Sequence, residues 1–313
     1  MEEFRLEDLP GVGETIAKKL RNAGFRDLMA LATTPPQVLA EACEIGEGIA
    51  RRIINEARKQ LRMEFLGADE ILEKQKDIKR ISTGSKALDT LLGGGIPTQA
   101  ITEFFGEFGS GKTQVGFQLC VNVQLPENKG GLNGGAFFID TEGTFRSSRI
   151  AEISRAMGLN PIDVLRNIKV ARVFSTDHQI LITEKIPEII DNGFNGRLIV
   201  VDSLTGLFRA EFIGRGTLAD RQQKLNQYVH MLQRYADRYN LAVYVTNQVM
   251  ARPDILFGDP TAAVGGHVIA HACGYRIYLR KAKENKRVAR LVDAPDLPPA
   301  EVVFQITSEG IKD

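Results

Sequence analysis

Eight consecutive residues carry the clearest chemical signal in this 313-residue chain. Gly106-Glu107-Phe108-Gly109-Ser110-Gly111-Lys112-Thr113 sets a lysine and a hydroxyl directly after a glycine-rich turn. Glycines let such a turn aim its backbone N–H groups at phosphate oxygens. Lys112 then reaches the β- and γ-phosphates of a nucleoside triphosphate, and the Thr113 hydroxyl is a ligand for Mg2+. Gln114 carries the pattern into the next element. The flanks agree. The apolar run Ala100–Phe105 precedes the loop, and Val115, Leu119 and Val123 follow at helical spacing. Strand, loop and helix in that order are the context the pattern requires, and a helix N-terminus adds positive potential. The competing reading, a chance glycine turn, leaves both flanks unexplained.

Three further positions could complete an ATP-hydrolysing site. Arg197-Leu198-Ile199-Val200-Val201-Asp202 is an apolar run ending in a carboxylate. Sheets of this class bind ligands beyond the carboxyl ends of their strands, where Asp202 would hold a water on Mg2+. Capping the next helix is its alternative role. Phe137-Phe138-Ile139-Asp140-Thr141-Glu142 ends a second run. Glu142 is the candidate to orient and polarise the attacking water, with a helix cap again the alternative. Ala242–Thr246 runs into Asn247-Gln248. An amide at that place can donate to a γ-phosphate and so distinguish ATP from ADP. Satisfying local backbone is the simpler reading of Gln248.

The elements that must hold these residues follow from periodicity. The short runs near 100, 135, 198 and 241 alternate with helical stretches, which predicts a mostly parallel sheet covered by helices over 82–313. Leu218, Leu225, Val229, Leu232 and Ala236 predict one amphipathic helix over 218–239. Residues from about 275 to 306 alternate like antiparallel strands. Residues 1–62 predict a small all-helical domain, with Ile49, Ile53, Ala57 and Leu61 on one face. A polar connector, 63–81, lies between. Hydrophobic residues at 43% and charged residues at 25% describe a globular protein with a sizeable core. A net charge of +1 means that any affinity for nucleic acid must come from local basic surface. Cys43, Cys120 and Cys273 match no zinc or disulfide spacing and suit a reducing compartment. No apolar run approaches the roughly 18–20 residues of a membrane span. The acidic start, Met1-Glu2-Glu3-Phe4, lacks signal-peptide character, so a cytoplasmic protein without a membrane partner is expected.

The small domain holds an internal repeat. Gly11-Val12-Gly13-Glu14-Thr15-Ile16-Ala17 aligns with Glu44-Ile45-Gly46-Glu47-Gly48-Ile49-Ala50. Leu9-Pro10-Gly11-Val12-Gly13 resembles a helix-hairpin-helix, in which Gly11 and Gly13 would offer backbone N–H groups to a DNA phosphate without reading sequence. Lys18, Lys19 and Arg21 lie close by. Glu44 replaces the first glycine in the second copy, where a carboxylate would repel phosphate, so that copy is read as structural. A simple packing turn is the other reading of the first copy.

Nearly the whole chain, from about Leu6 to Asp313, resembles the archaeal RadA recombinases and their eukaryotic counterparts in the RecA superfamily. The resemblance rests on Gly106–Gln114, Asp140–Phe145, Gly214-Arg215-Gly216 through Arg221-Gln222-Gln223-Lys224-Leu225, Thr246-Asn247-Gln248 and Gly265–His271. It implies a RecA-like P-loop ATPase core behind a small helix-hairpin-helix domain. It implies ATP and Mg2+ as cofactors, with Lys112, Thr113 and Asp202 binding them. Glu142 would be the catalytic carboxylate, Gln248 the γ-phosphate sensor, and Arg149 would lie against the adenine. The implied activity is DNA-dependent ATP hydrolysis driving homologous pairing and strand exchange. The implied partners are single- and double-stranded DNA, further copies of the chain in helical filaments or rings, and recombination mediators. The location would be the cytoplasm, on the nucleoid. A non-filamentous mediator paralogue and a RecA-fold ring helicase are the alternatives.

Two loops carry the implied DNA contacts: Arg209 to Thr217, with Arg215 and Gly216, and Met250 to about Gly265, with Arg252. Arginines on glycine-rich loops can follow a phosphate backbone without reading bases. Phe65 and Ala68 in the connector match a segment that docks on the next subunit in this family. An apolar ring in a polar linker points the same way. Two departures touch the adenine environment and hence nucleotide affinity. Ser147 and Ser148 stand where the family has Pro-Glu, and Ala263 stands where it tends to have proline.

Overall fold

In the computed structural model the described residues are 5–25, 28–61, 65–212, 214–251, 261–263 and 266–313. The chain forms two compact units, Met1–Gln75 and Lys76–Asp313.

The first unit is helical: α1 (Glu14–Asn22), α2 (Leu28–Thr33), α3 (Pro36–Cys43), α4 (Glu47–Gln60) and α5 (Ala68–Gln75). Leu9, Val12, Leu20, Leu31, Leu39 and Ile53 make one buried core. The face of α4 differs from the expected one by part of a turn. Ile49 is exposed, while Ala50, Ile53, Ile54 and Ala57 are buried. The helix uses its smaller alanines to approach its neighbours. The stretch expected to be a bare connector contains α5 and reaches the first strand of the second unit.

The hairpin repeat is visible in the backbone. Gly11 has φ +89° and Glu44 has φ 48°, so both copies need a left-handed residue at the same place. Gly13 caps α1 and Gly46 caps α4. Only glycine adopts such a φ freely. The second copy holds its glutamate there, and Lys19 Nζ donates to the Glu44 carbonyl at 2.8 Å.

The second unit runs β1 (Arg80–Ile81), α6 (Lys86–Leu91), β2 (Ile96–Pro97), β3 (Ala100–Gly106), α7 (Lys112–Asn122), β4 (Gly135–Asp140), α8 (Ser147–Ala156), α9 (Pro161–Arg166) and β5 (Ile168–Arg172). It continues through α10 (Thr176–Glu184), α11 (Ile186–Asp191), β6 (Gly196–Asp202), α12 (Gly206–Glu211), α13 (Leu218–Tyr239), β7 (Ala242–Ala251), β8 (Thr261–Ala263) and α14 (Gly266–Ala272). It ends in β9 (Tyr275–Lys281), β10 (Lys286–Asp293), β11 (Glu301–Thr307) and β12 (Gly310–Lys312). The main sheet has the order β12-β11-β10-β9-β3-β7-β6-β4-β5. Its half from β9 to β5 is parallel, and β9 to β12 pair antiparallel.

The central strands are mostly apolar because both faces are covered. Leu198, Val200, Ala242 and Tyr244 pack toward α7 and α8, in one core. Ile199, Val201, Val243 and Val245 alternate with them and pack toward α13, in the other. A fully buried side chain of this size contributes about 1.5–3 kcal/mol, so these four-residue runs fix strand register. In α13, Leu225, Val229, Leu232 and Ala236 are buried as expected, but Leu218, in the first turn, is exposed. The short edge strand β5 escapes the periodicity. Its Lys169 and Arg172 break the apolar run, and only Ile168 among its five residues is buried.

Both expected loops begin later than the sequence implied. Arg209 lies on α12. Past Gln248, β7 continues to Ala251 and pairs with β8, Val249 opposite Ala263. The described ends of the second loop are therefore strands paired antiparallel. Arg252 lies outside the described residues.

Candidate nucleotide site

The sheet order sends the chain from β3 over two strands to β4. Side chains from β3, β4, β6 and β7 thus meet beyond their carboxyl ends, the usual place for a ligand in such a sheet. There they line a cleft of about 230 Å3.

The loop 106–113 forms the floor. Gly111, at φ +108°, caps α7, and a β-carbon there would strike the Ile306 side chain. Lys112 is 9% exposed. Its Nζ donates to the Gly106 carbonyl at 2.8 Å, the Glu107 carbonyl at 2.9 Å and Ser110 Oγ at 3.3 Å. Burial pushes the ammonium below its ordinary value, against the opposing pull of Asp202 and Glu142. Phe108 is 90% exposed at the lip.

Asp202 sits at the end of β6, 3% exposed. It accepts hydrogen bonds from Thr113 Oγ1 at 2.7 Å, Thr144 Oγ1 at 2.9 Å and Thr246 Oγ1. Burial raises its pKa more than those hydroxyls lower it. A carboxylate beside the Thr113 hydroxyl supplies two hard oxygen donors. That donor set fits Mg2+, which keeps several of its waters.

Asp140 explains why Glu142 is where it is. Its Oδ1 accepts the backbone N–H groups of Glu142, Gly143 and Thr144 at 3.2, 2.7 and 3.1 Å, and Oδ2 accepts that of Phe145 at 3.2 Å. The turn is thereby fixed, and Glu142 Oε1 receives Ser203 Oγ at 2.8 Å and Gln248 Nε2 at 3.0 Å. Gln248 Oε1 in turn accepts Arg209 at 3.2 Å. Ser203 and Glu142, just past β6 and β4, form one chain with Gln248 of β7 and Arg209 of α12.

Arg149 is held in its own plane. It donates to Gln114 Oε1 at 2.8 Å, Glu152 at 3.1 Å and the carbonyls of Ser308 and Thr307 at 2.6 and 2.5 Å. Ser147 opens α8 with Arg146 as its cap. Proline is favoured at that first helical position, so this departure bears on how α8 begins.

The other expected contact residues lie each within its own unit. Gly216 is exposed in the turn Arg215–Thr217. Gly11 and Gly13 are exposed on the helical unit. Of the cations near them, Arg21 pairs with Glu7 at 2.5 Å and Lys18 is exposed. Phe65 is fully exposed, and Ala68 begins α5.

Sequence reasoning missed several supporting residues. Glu103 is buried in β3, where it accepts Arg276 Nε and Asn247 Nδ2, each at 2.7 Å. Asn247 Oδ1 then accepts Thr205 Oγ1 at 2.7 Å. This set fixes the residue before Gln248 and the one before α12. Breaking a buried pair of this kind costs about 3–5 kcal/mol. A lone carboxylate inside an apolar strand was the available signal. Arg287 and Ile306, from β10 and β11, also line the cleft. They lie far from the loop in sequence, and only the sheet order brings them near.

Similarity to known proteins agrees with this architecture. The Rad51 family model matches residues 73–313, and the SAM-like helix-hairpin-helix tandem model matches residues 4–59. The chain is 54% identical over 308 residues to the DNA repair and recombination protein RadA of Aeropyrum pernix, covering 98% of this chain and 96% of that protein. It is also 54% identical to the DNA repair and recombination protein RadA of Metallosphaera sedula, over 98% of this chain and 95% of that protein. These relatives do not favour the mediator or ring-helicase alternatives. With a matching core, a matching helical unit and near-complete alignment to two such relatives, the chain belongs to the Rad51 family.

Proposed function

We propose that this protein acts in ATP-dependent homologous recombination and DNA repair. In this reading it is a DNA-dependent ATPase that coats single-stranded DNA and exchanges it with a homologous duplex. One observation carries the reading: the chain of contacts from Ser203 through Glu142 and Gln248 to Arg209. It joins the phosphate cleft to α12, which leads into the first loop, and to β7, which leads into the second.

The backbone of Gly106–Gln114 cradles the phosphates, and Lys112 exchanges its carbonyl partners for phosphate oxygens. Thr113 and Asp202 would hold Mg2+, Asp202 through water. Bound there, Mg2+ supplies positive charge to the phosphate oxygens. Glu142 orients and polarises the attacking water. Arg149 offers its face to the adenine. A γ-phosphate competes with Glu142 for the Gln248 amide. Each hydrogen bond exchanged is worth about 1 kcal/mol, enough to couple nucleotide state to the loops by several-fold. Arg209, Arg215, Gly216 and Arg252 follow the DNA backbone. Gly11 and Gly13 make a second, sequence-independent contact.

Assembly follows from Phe65 and Ala68. A fully exposed phenylalanine needs a receptor, and the second unit offers one in a 120 Å3 apolar groove. It is lined by Phe137, Ile139, Val170, Ile182 and Ile189 beside the unpaired edge of β5. Phe65 of a neighbouring copy fills the groove, and its segment can extend the sheet. Head-to-tail contacts of this kind propagate into filaments or close into rings.

The test combines ATP hydrolysis with electron microscopy on single-stranded DNA. Hydrolysis should rise with DNA, and filaments should require ATP. DNA-independent hydrolysis, or binding without filaments, would reject the reading. A ring that unwinds duplex would support the helicase alternative instead.

A further inference from the structure

Arg287 presents an electrostatic anomaly. It lies opposite Lys281 across the β9–β10 hairpin, Cα partner to Cα partner. Like charges placed directly opposite are unfavourable in a sheet. Both stand against the positive end of α7. A β-carbon at Gly109 would lie 2.8 Å from Lys281 Nζ, and one at Gly111 would lie 3.6 Å from Arg287 Nε. Helix N-termini repel cations and attract anions. Among the described residues no carboxylate pairs with either side chain. Arg287 donates from one terminal nitrogen to the Lys286 carbonyl at 2.8 Å, while its Nε is buried and has no partner.

Such an arrangement is stable where an anion completes it. We propose that Arg287 is a second phosphate-binding cation of the nucleotide cleft, acting on the phosphate nearest the ribose, with Lys281 behind it. The inference rests on the nucleotide reading of the cleft and adds a wall to it. Position identifies the phosphate. Lys112, Thr113 and Asp202 occupy the end of the cleft toward β6, where Glu142 and Gln248 stand. Arg287 comes from the opposite wall, together with Ile306. An apolar side chain beside a guanidinium suits the junction of sugar and phosphate. A guanidinium donates to two oxygens of one phosphate at once, so a lysine there is a partial substitute.

The test is a titration of the full chain with fluorescent ATP and ADP analogues, with Mg2+ present, for the wild type, Arg287→Met, Arg287→Lys and Lys112→Ala. Because ATP and ADP share the phosphate in question, Arg287→Met should weaken both alike, by about tenfold, or ~1.4 kcal/mol. Arg287→Lys should fall between. Equal binding by wild type and Arg287→Met would overturn the proposal. So would a loss confined to ATP, which would place Arg287 at the γ-phosphate. If Arg287→Met fails to fold, as judged by thermal unfolding, Arg287→Lys carries the same test, and wild-type affinity in that variant would overturn the proposal. A wild type that binds neither nucleotide would instead refute the nucleotide reading itself, which keeps the two failures distinct.

Discussion

On the phosphate side of the cleft, Lys112 and Asp202 are buried, and each has three hydrogen-bond partners drawn from strand ends and the loop. On the loop side, Glu142, Gln248 and Arg209 are joined by single bonds in exposed surroundings. The first region is finished within one copy of the chain. The second consists of interchangeable contacts, each worth about 1 kcal/mol, and in the function proposed its further partners would be DNA and a neighbouring copy. A rigid phosphate pole beside a replaceable set of bonds is what nucleotide control of DNA binding requires. Phe65 belongs to the second kind, since a single copy leaves it wholly in solvent.

The hardest way to strain this comparison is to damage the finished side. Lys112→Ala removes the buried cation, and ATP hydrolysis should fall by about 100–1000-fold, the usual cost of losing one preorganised charge stabiliser. ATP-dependent DNA coating should be lost with it. Coating and pairing that proceed unchanged in this variant would break the link between the two sides.

Phe65→Glu strikes only the unfinished side. Filaments should disappear by electron microscopy, while nucleotide affinity and the unfolding temperature of the monomer stay as in the wild type. Loss of the fold would show that Phe65 serves its own chain. Gln248→Ala is subtler. It cuts the chain of contacts through Glu142 and Arg209, so DNA affinity at fixed salt should lose its ATP dependence, a change of about tenfold. An undiminished ATP effect would show that the signal travels elsewhere.

The finished side was also the legible one. The phosphate loop could be read whole because its chemistry lies in one stretch of eight residues. Asp202 stood out as a candidate because it closes an apolar run, and Glu142, on the open side, because it follows one two residues on. Asp140 and Glu103 could not, since a buried carboxylate shows its role only through its donors. Arg287 was hidden for another reason. The alternation of β10 gives a solvated strand face and a cleft wall the same pattern. Arg209 looked like a loop residue because the glycines at 214 and 216 suggested a longer loop than α12 allows.

The smallest effect expected is on stability, and it depends on pH. Burial raises the Asp202 pKa above its ordinary value of 3.8. Between that value and the raised one, the native state holds a proton that the unfolded chain has released. This carboxylate therefore lowers stability as pH rises through the window, and the loss persists above it. Asp202→Asn removes that contribution and keeps an oxygen for the threonine hydroxyls. Without nucleotide, the variant should unfold a few degrees higher than the wild type at neutral pH, given ~2–4 °C per kcal/mol for a domain of this size. The gap should shrink as pH falls toward 3.8. The same substitution should abolish Mg-dependent hydrolysis, so stability and activity move in opposite directions, as strained functional groups do. Glu142→Gln, on the exposed side, should likewise lose hydrolysis. If Asp202→Asn unfolded no higher than the wild type at neutral pH, or kept the same margin toward pH 3.8, the reading of Asp202 as a buried pole held at a cost to stability would fail.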